Sequence, residues 1–117
     1  MRYILNSAVI TTPGRYSYCL IGVEEAKEWL MSGPFESTLG YQETAIALSA
    51  LTGMPVRVNR KMVQMRTGDE ALVFRLTCRL DDPRLKGQLS PEFVLQNCEI
   101  GILRKEEDHE PYYEHQP

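Results

Sequence analysis

Two arginines and a threonine recur at every second position of one apolar stretch, Glu70–Leu80 (EALVFRLTCRL). Side chains two residues apart lie on the same face of a β-strand, so Arg75, Thr77 and Arg79 would share a face with Val73. The other face is apolar and suits a core: Leu72, Phe74, Leu76, Cys78 and Leu80. The planar guanidinium groups could bind phosphate oxygens. A sheet with a solvated outer face explains the same pattern.

A second candidate anion site is the start of the predicted helix Tyr41–Leu51 (YQETAIALSAL). The N–H groups in the first turn of a helix have no partner within the helix and carry partial positive charge. Gln42 and Thr44 lie in that turn, which is therefore suited to bind an anion. The alternative is that Ser37 or Thr38 caps the helix and nothing binds there.

The remaining patterns predict one domain of mixed α/β (α+β) class, in which helices flank a mixed sheet. Asn6 ends the first strand, where asparagine commonly forms a turn and where its amide could also reach a ligand. Residues 105–117 are charged and poor in apolar side chains, so we expect a disordered tail after a domain of residues 1–104. The other predicted elements are strands at Arg2–Asn6, Arg15–Ile21, Val56–Val58, Met62–Arg66 and Glu99–Arg104, helices at Val23–Met31 and from Pro91, and a turn at Thr67–Asp69.

Composition excludes several classes of function. Acidic residues outnumber basic ones, 16 to 13, which argues against binding to duplex nucleic acid. The three cysteines lack CxxC spacing, which favours a reducing compartment. His109 and His115, the two histidines, lie in the predicted tail, so we expect no metal site in the domain. The sequence contains no long apolar run, secretion signal or common cofactor motif, so we expect a cytoplasmic protein without membrane contact or cofactor.

Four strings in order, YILNSAV, GPFESTLGYQETAIALSALTG, PVRVNR and GDEALVFRLTCRL, resemble the small viral and prophage ring nucleases. These are type III anti-CRISPR proteins that degrade cyclic tetra-adenylate. The resemblance implies a homodimer of mixed α/β subunits, acting in the host cytoplasm, with the cyclic ligand across its two-fold axis. It also implies a metal-independent reaction. A ribose 2′-hydroxyl attacks the adjacent phosphate, a histidine protonates the 5′-oxygen leaving group, and an arginine stabilises the phosphate charge.

The resemblance assigns roles to individual residues of this chain. Asn6 matches an asparagine that helps to hold the ligand, and Arg79 matches the arginine that contacts the phosphate. Thr44 matches a threonine in the first turn of the helix. Arg60 matches the arginine of an Asn-Arg pair, although a structural ion pair would also explain it. Asp82 falls near an acidic residue that follows the phosphate-binding arginine, but the loop here looks longer.

The sequence departs from these ring nucleases at Tyr41, because they carry Gly-His where this chain has Gly40-Tyr41. In model peptides the pKa of tyrosine is about 10 and that of histidine about 6.5, so tyrosine is the weaker general acid. Tyrosine can also stack on adenine, which strengthens binding. The resemblance thus implies slow cleavage or sequestration of the ligand. The alternative is a non-catalytic protein-interaction module that keeps the fold and uses its tail for contact.

Overall fold

The structure, a computed structural model, describes residues 1–8, 12–77 and 90–108. These residues form a mixed sheet with helices, which confirms the predicted α+β class. In chain order the elements are β1 (Arg2–Leu5), β2 (Gly14–Leu20), α1 (Val23–Met31), β3 (Glu36–Ser37), α2 (Gln42–Thr52), β4 (Glu70–Leu76), α3 (Pro91–Gln96) and β5 (Cys98–Asp108). None of the described helices is both long and apolar enough to cross a membrane.

The sheet has the strand order β2-β5-β4-β1-β3. Strand β1 runs parallel to both β3 and β4, whereas β5 runs antiparallel to β4 and β2. Since the three parallel strands point the same way, their carboxyl ends lie along one edge of the sheet. Ligands of α/β proteins commonly bind at such an edge, and the chain turns there from β3 into α2.

The main core lies between the sheet and the helices. Leu72 and Phe74 of β4 are fully buried there, as the alternation predicted. The opposite face of β4 is only partly solvated, which corrects the prediction of a polar face. Ala71 and Val73 are buried in a second, smaller cluster with Val63, Met65 and Leu103. Polar exposure begins at Arg75 and continues at Thr77.

The strands predicted at Val56–Val58 and Met62–Arg66 are wrong, because this described segment contains no strand. Its backbone groups bond instead to neighbouring loops; for example, the N–H of Asn59 donates to the carbonyl of Leu39 at 2.9 Å. The alternating apolar side chains are nevertheless buried, at Val63 and Met65. The alternation of apolar and polar residues in this segment therefore reflects burial of every second side chain, although the segment is not hydrogen-bonded into the sheet.

The helices begin and end close to the predicted residues. Helix α1 has the predicted bounds, and its first turn is closed by the Glu25 carboxylate, which accepts from the Gly22 N–H at 3.3 Å. Helix α2 begins one residue later than predicted and ends at Gly53, whose φ of 74° is left-handed. At α3 the Ser90 hydroxyl accepts from the Phe93 N–H at 3.2 Å, the cap that the Ser-Pro-Glu string indicates.

Strand β5 continues to Asp108, beyond the predicted end of the last strand at Arg104. The extra residues pair with β2 as far as Gly14. Lys105 is 3% exposed, and its ammonium donates to the carbonyl of Met65 and the hydroxyl of Thr12, both at 3.0 Å. These contacts compensate the burial of a charged side chain. The rest of the predicted tail, residues 109–117, lies outside the described residues.

The Glu70 carboxylate joins the sheet to α1. It accepts from Trp29 Nε1 at 2.9 Å and from the guanidinium of Arg104, and the hydrogen bond from Arg104 lowers its pKa below the ordinary 4.5. We expect Glu70→Gln to lower the free energy of unfolding at pH 7 by about 1.5 kcal/mol, as for a hydrogen bond to a charged group.

Because the folded-state pKa of Glu70 is depressed, its contribution is present above pH 4.5 and is lost as pH falls through the folded pKa. Urea unfolding of wild type and Glu70→Gln at pH 7 and at progressively lower pH should therefore show a difference that shrinks on acidification. Glu24→Gln is the matched control, since Glu24 is 84% exposed and pairs with Lys27 only at 3.5 Å. A Glu70→Gln effect that is independent of pH would contradict the account.

Candidate functional site

The Arg60 side chain lies against the start of α2. Its Cζ atom is 5.7 Å from the centroid of the Tyr41 ring, a distance at which a cation and an aromatic ring attract each other. It also passes close over Gly40, where a Cβ atom would lie 3.3 Å from Cγ and 3.4 Å from Nε of the arginine. The missing side chain at Gly40 therefore gives the guanidinium room beside the first turn of α2.

Asn59 fixes the backbone that carries Arg60. Its N–H donates to the carbonyl of Leu39 at 2.9 Å, and its Nδ2 donates to the carbonyl of Ser37 at 2.8 Å. Ser37 is the last residue of β3, and Leu39 lies in the connection from β3 to α2. The Asn-Arg pair thus acts as a unit in which asparagine holds the loop and arginine projects over the helix start.

The first turn of α2 has no side-chain cap. Tyr41 is the N-cap residue and makes no side-chain capping hydrogen bond. The two predicted caps are engaged elsewhere: the Ser37 hydroxyl donates to the carbonyl of Arg57, and the Thr38 hydroxyl to that of Ile4, both at 2.7 Å. The capping alternative is therefore wrong, and the N–H groups of Gln42, Glu43 and Thr44 have no hydrogen-bond partner in the described part of the chain.

Thr44 places a polar group in the same turn. Its side chain is 3% exposed, yet its hydroxyl has no hydrogen-bond partner among residues 1–8, 12–77 and 90–108. Buried hydroxyls in folded proteins are usually hydrogen-bonded. Gln42, one residue after the N-cap, is exposed. Among the described residues, the helix start therefore combines a cation with amides and a hydroxyl that have no hydrogen-bond partner, a set that suits an anion of phosphate size.

A cavity of about 150 Å³ lies at the carboxyl end of β1. Its polar lining includes Asn6 and Ser7, which are both half-buried, together with Thr38 and Lys61. Lys61 donates to the carboxylate of Glu36, and this hydrogen bond raises the pKa of the lysine. Asn6 thus lies at the sheet edge where the sequence predicted an amide that could reach a ligand.

Of the remaining predicted site residues, Arg75 alone lies in the described part of the chain. The Arg75 guanidinium lies 3.4 Å from the carboxylate of Glu99, its partner in the β4–β5 register, and does not line the cavity. Arg79 and Asp82 lie outside the described residues. In the part of the chain that the structure describes, no three His, Cys, Asp or Glu side chains are grouped as metal ligands.

Comparison with known proteins agrees with this fold. A family model described as STIV B116-like matches residues 2–92. The chain belongs to the STIV B116-like family. B116 of Sulfolobus turreted icosahedral virus has the same fold, with a TM-score of 0.70 and 18% identity, over 88% of this chain and 97% of that one.

Relatives of the chain include viral proteins. Uncharacterized protein 26 of a Sulfolobus islandicus filamentous virus is 32% identical over 73% of this chain and 75% of its own length. Uncharacterized protein ORF117 of Acidianus two-tailed virus is 34% identical over 67% of this chain and 71% of its own. Uncharacterized protein YddF of Bacillus subtilis is 36% identical over 62% of this chain and 68% of its own. The chain is therefore homologous to viral B116-like proteins.

Proposed function

We propose that this protein binds cyclic tetra-adenylate, or a related cyclic oligoadenylate, across a homodimer, and either cleaves it slowly or sequesters it. In a host cell this would counteract type III CRISPR signalling. The observation that carries the proposal is the Arg60 guanidinium, held beside the uncapped first turn of α2. The homology to proteins of Sulfolobus and Acidianus viruses supports a role in evading defence.

The helix start would hold a phosphate of the ligand. A guanidinium donates two parallel hydrogen bonds to phosphate oxygens, and free helix N–H groups add donors of the same polarity. Arg60 makes no ion pair among the described residues, so its charge is available to a phosphate. Because the net charge of the chain is −3, attraction of an anion depends on such a local site.

Tyr41 would act on the nucleotide beside that phosphate. Its ring is 45% exposed and can stack on a base while the neighbouring Arg60 contacts the phosphate. In the proposed cleavage a ribose 2′-hydroxyl attacks the adjacent phosphorus, the bond from phosphorus to the 5′-oxygen breaks, and a 2′,3′-cyclic phosphate forms. The attacking 2′-hydroxyl loses its proton to solvent, and the leaving 5′-oxygen takes one, which the Tyr41 hydroxyl could supply as a weak general acid before solvent reprotonates the phenolate.

A homodimer would double this site around the two-fold symmetry of a cyclic tetranucleotide. Large apolar side chains are exposed on α2 with its N-cap residue and on the segment that carries Arg60. Their exposure supports a dimer interface at this place. They are Tyr41 at 45%, Ile46 at 47%, Val58 at 41% and Met62 at 78% exposure. Burying these side chains against a second copy would bring two phosphate sites together.

Incubation of the purified protein with radiolabelled cyclic tetra-adenylate tests the proposal. Linear products in molar excess over protein would establish an enzyme. Intact ligand retained at one ring per two chains would establish a binding protein that sequesters it. Failure to retain or convert the ligand would refute both forms and favour the protein-interaction module.

A further inference from the structure

A groove of about 560 Å³ lies where the start of α1, the end of α2 and the start of α3 meet. Its apolar lining consists of Val23, Leu51, Pro91 and Leu95. Leu95 is 57% exposed, and Val23 and Leu51 are half-buried. Single exposed leucines are common on protein surfaces, whereas apolar side chains that converge on one groove mark a place of interaction.

The charged lining of this groove is acidic. Glu24, Glu25 and Glu92 line it and are exposed, and none of the described lining residues is basic. The side chain of Glu24 is 84% exposed and pairs with Lys27 only at 3.5 Å, so its charge is weakly neutralised. Carboxylates in the first turn of a helix stabilise that helix through its dipole. That explains the charges but not the apolar groove between them.

We propose that this groove docks an amphipathic helix of a partner protein, one that carries lysine or arginine beside its apolar stripe. Apolar side chains at helical spacing would fill the groove, and the flanking cations would face the three carboxylates. No described strand lines the groove, so the partner cannot bind there by adding a strand to the sheet. The complementary charges would select basic helices over acidic ones.

A second copy of this chain fits the groove less well than a basic helix does. Two copies related by a two-fold axis would place the same carboxylates opposite each other, and like charges repel. The three described helices contain a single basic residue, Lys27, so none of them is the kind of helix that the groove would take. Nucleic acid and anionic membrane surfaces are disfavoured by the same negative charge.

The groove lies apart from the proposed phosphate site. Leu51 and Gln42 are at opposite ends of α2, about 14 Å apart along the helix axis at 1.5 Å per residue. A helix docked in the groove would therefore leave the first turn of α2 open. The inference goes beyond the proposed function and does not depend on it.

Fluorescence anisotropy with labelled synthetic peptides tests the inference. The probe is a peptide of about 15 residues with leucine at helical spacing and lysine at the other positions. A second peptide carries glutamate in place of lysine, and a third is a scrambled version of the first. Wild type should bind the lysine peptide at least about ten-fold more tightly than either of the others.

Variants of the protein locate the binding. Leu95→Gln should weaken binding of the lysine peptide by about five-fold or more, because an apolar anchor is lost. Glu92→Gln should weaken it less and reduce its dependence on salt. Met31→Gln is the matched control, since Met31 is 71% exposed at the other end of α1, and affinity should change less than about two-fold.

Equal affinities of wild type for the lysine peptide and either of the others, or equal binding by wild type and Leu95→Gln, would overturn the inference. Self-association of the protein alone that Leu95→Gln abolishes, measured by sedimentation velocity, would assign the groove to a second copy and also overturn it. If Leu95→Gln does not fold, the backbone amide resonances of wild type decide. Those of Glu92 and Leu95 should shift on titration with the lysine peptide, and unchanged resonances at saturation would overturn the inference.

Discussion

Replacing Tyr41 by histidine should raise the rate of cyclic tetra-adenylate cleavage by about 10²–10⁴-fold, the usual contribution of a general acid. The substitution returns the Gly-His pair of the ring nucleases that the sequence resembles. The site can accept it, because Tyr41 is a half-exposed N-cap residue whose side chain makes no capping bond. Single-turnover rates of linear product formation, measured with protein in excess, report the chemical step directly.

Two controls make the result for Tyr41→His specific. Tyr41→Phe keeps a stacking ring without a hydroxyl, so it should bind the ligand and lose any cleavage that the phenol supports. The introduced imidazole would lie beside the positive Arg60, which lowers the pKa of a histidine. The rate of Tyr41→His should therefore fall as pH rises through that pKa, because a general acid must be protonated. An unchanged cleavage rate in Tyr41→His, with normal ligand affinity, would contradict the assignment of position 41 as the position of the general acid.

Arg60→Ala should weaken binding of cyclic tetra-adenylate by about 10–100-fold, as expected for the loss of hydrogen bonds to a charged group. The reason is that Arg60 is the cation beside the first turn of α2, where its guanidinium supplies both positive charge and hydrogen-bond donors to a phosphate. Fluorescence anisotropy of a labelled ligand, or calorimetry, would give the two dissociation constants.

Arg57→Ala is the matched control for Arg60. Arg57 is exposed on the same segment, and its carbonyl, which accepts from the Ser37 hydroxyl, remains in the alanine variant. This variant removes the same formal charge and should change affinity less than about three-fold. Equal losses in the two variants would show that overall charge, rather than the position of Arg60, attracts the ligand.

Local patterns were sufficient to predict the helices and most strands. Glu24 and Glu25 at the start of α1, Gly53 after α2 and Ser90-Pro91 at α3 act through contacts within a few residues, which a sequence displays directly. The segment 56–66 was mispredicted because its alternation of apolar residues arises from packing of Val63 and Met65 on the sheet. Such packing depends on tertiary contacts that propensity does not encode.

The candidate site was predictable only in part. Tyr41, Gln42 and Thr44 follow from the helix start, but the approach of Arg60 depends on Asn59, whose two hydrogen bonds reach back to the β3–α2 connection. Pattern reasoning gave no role to Asn59, although its position next to Arg60 was the available signal. The cavity around Asn6 could not be predicted from the sequence either, because its walls come from segments that are distant in the sequence.

The most direct test of the central claim is the mass and stoichiometry of the complex with cyclic tetra-adenylate, measured by sedimentation velocity during a titration. The account predicts a species of two chains that saturates at one ring. A protein that stays unliganded at a large excess of the cyclic nucleotide, or that binds one ring on each separate chain, would contradict it.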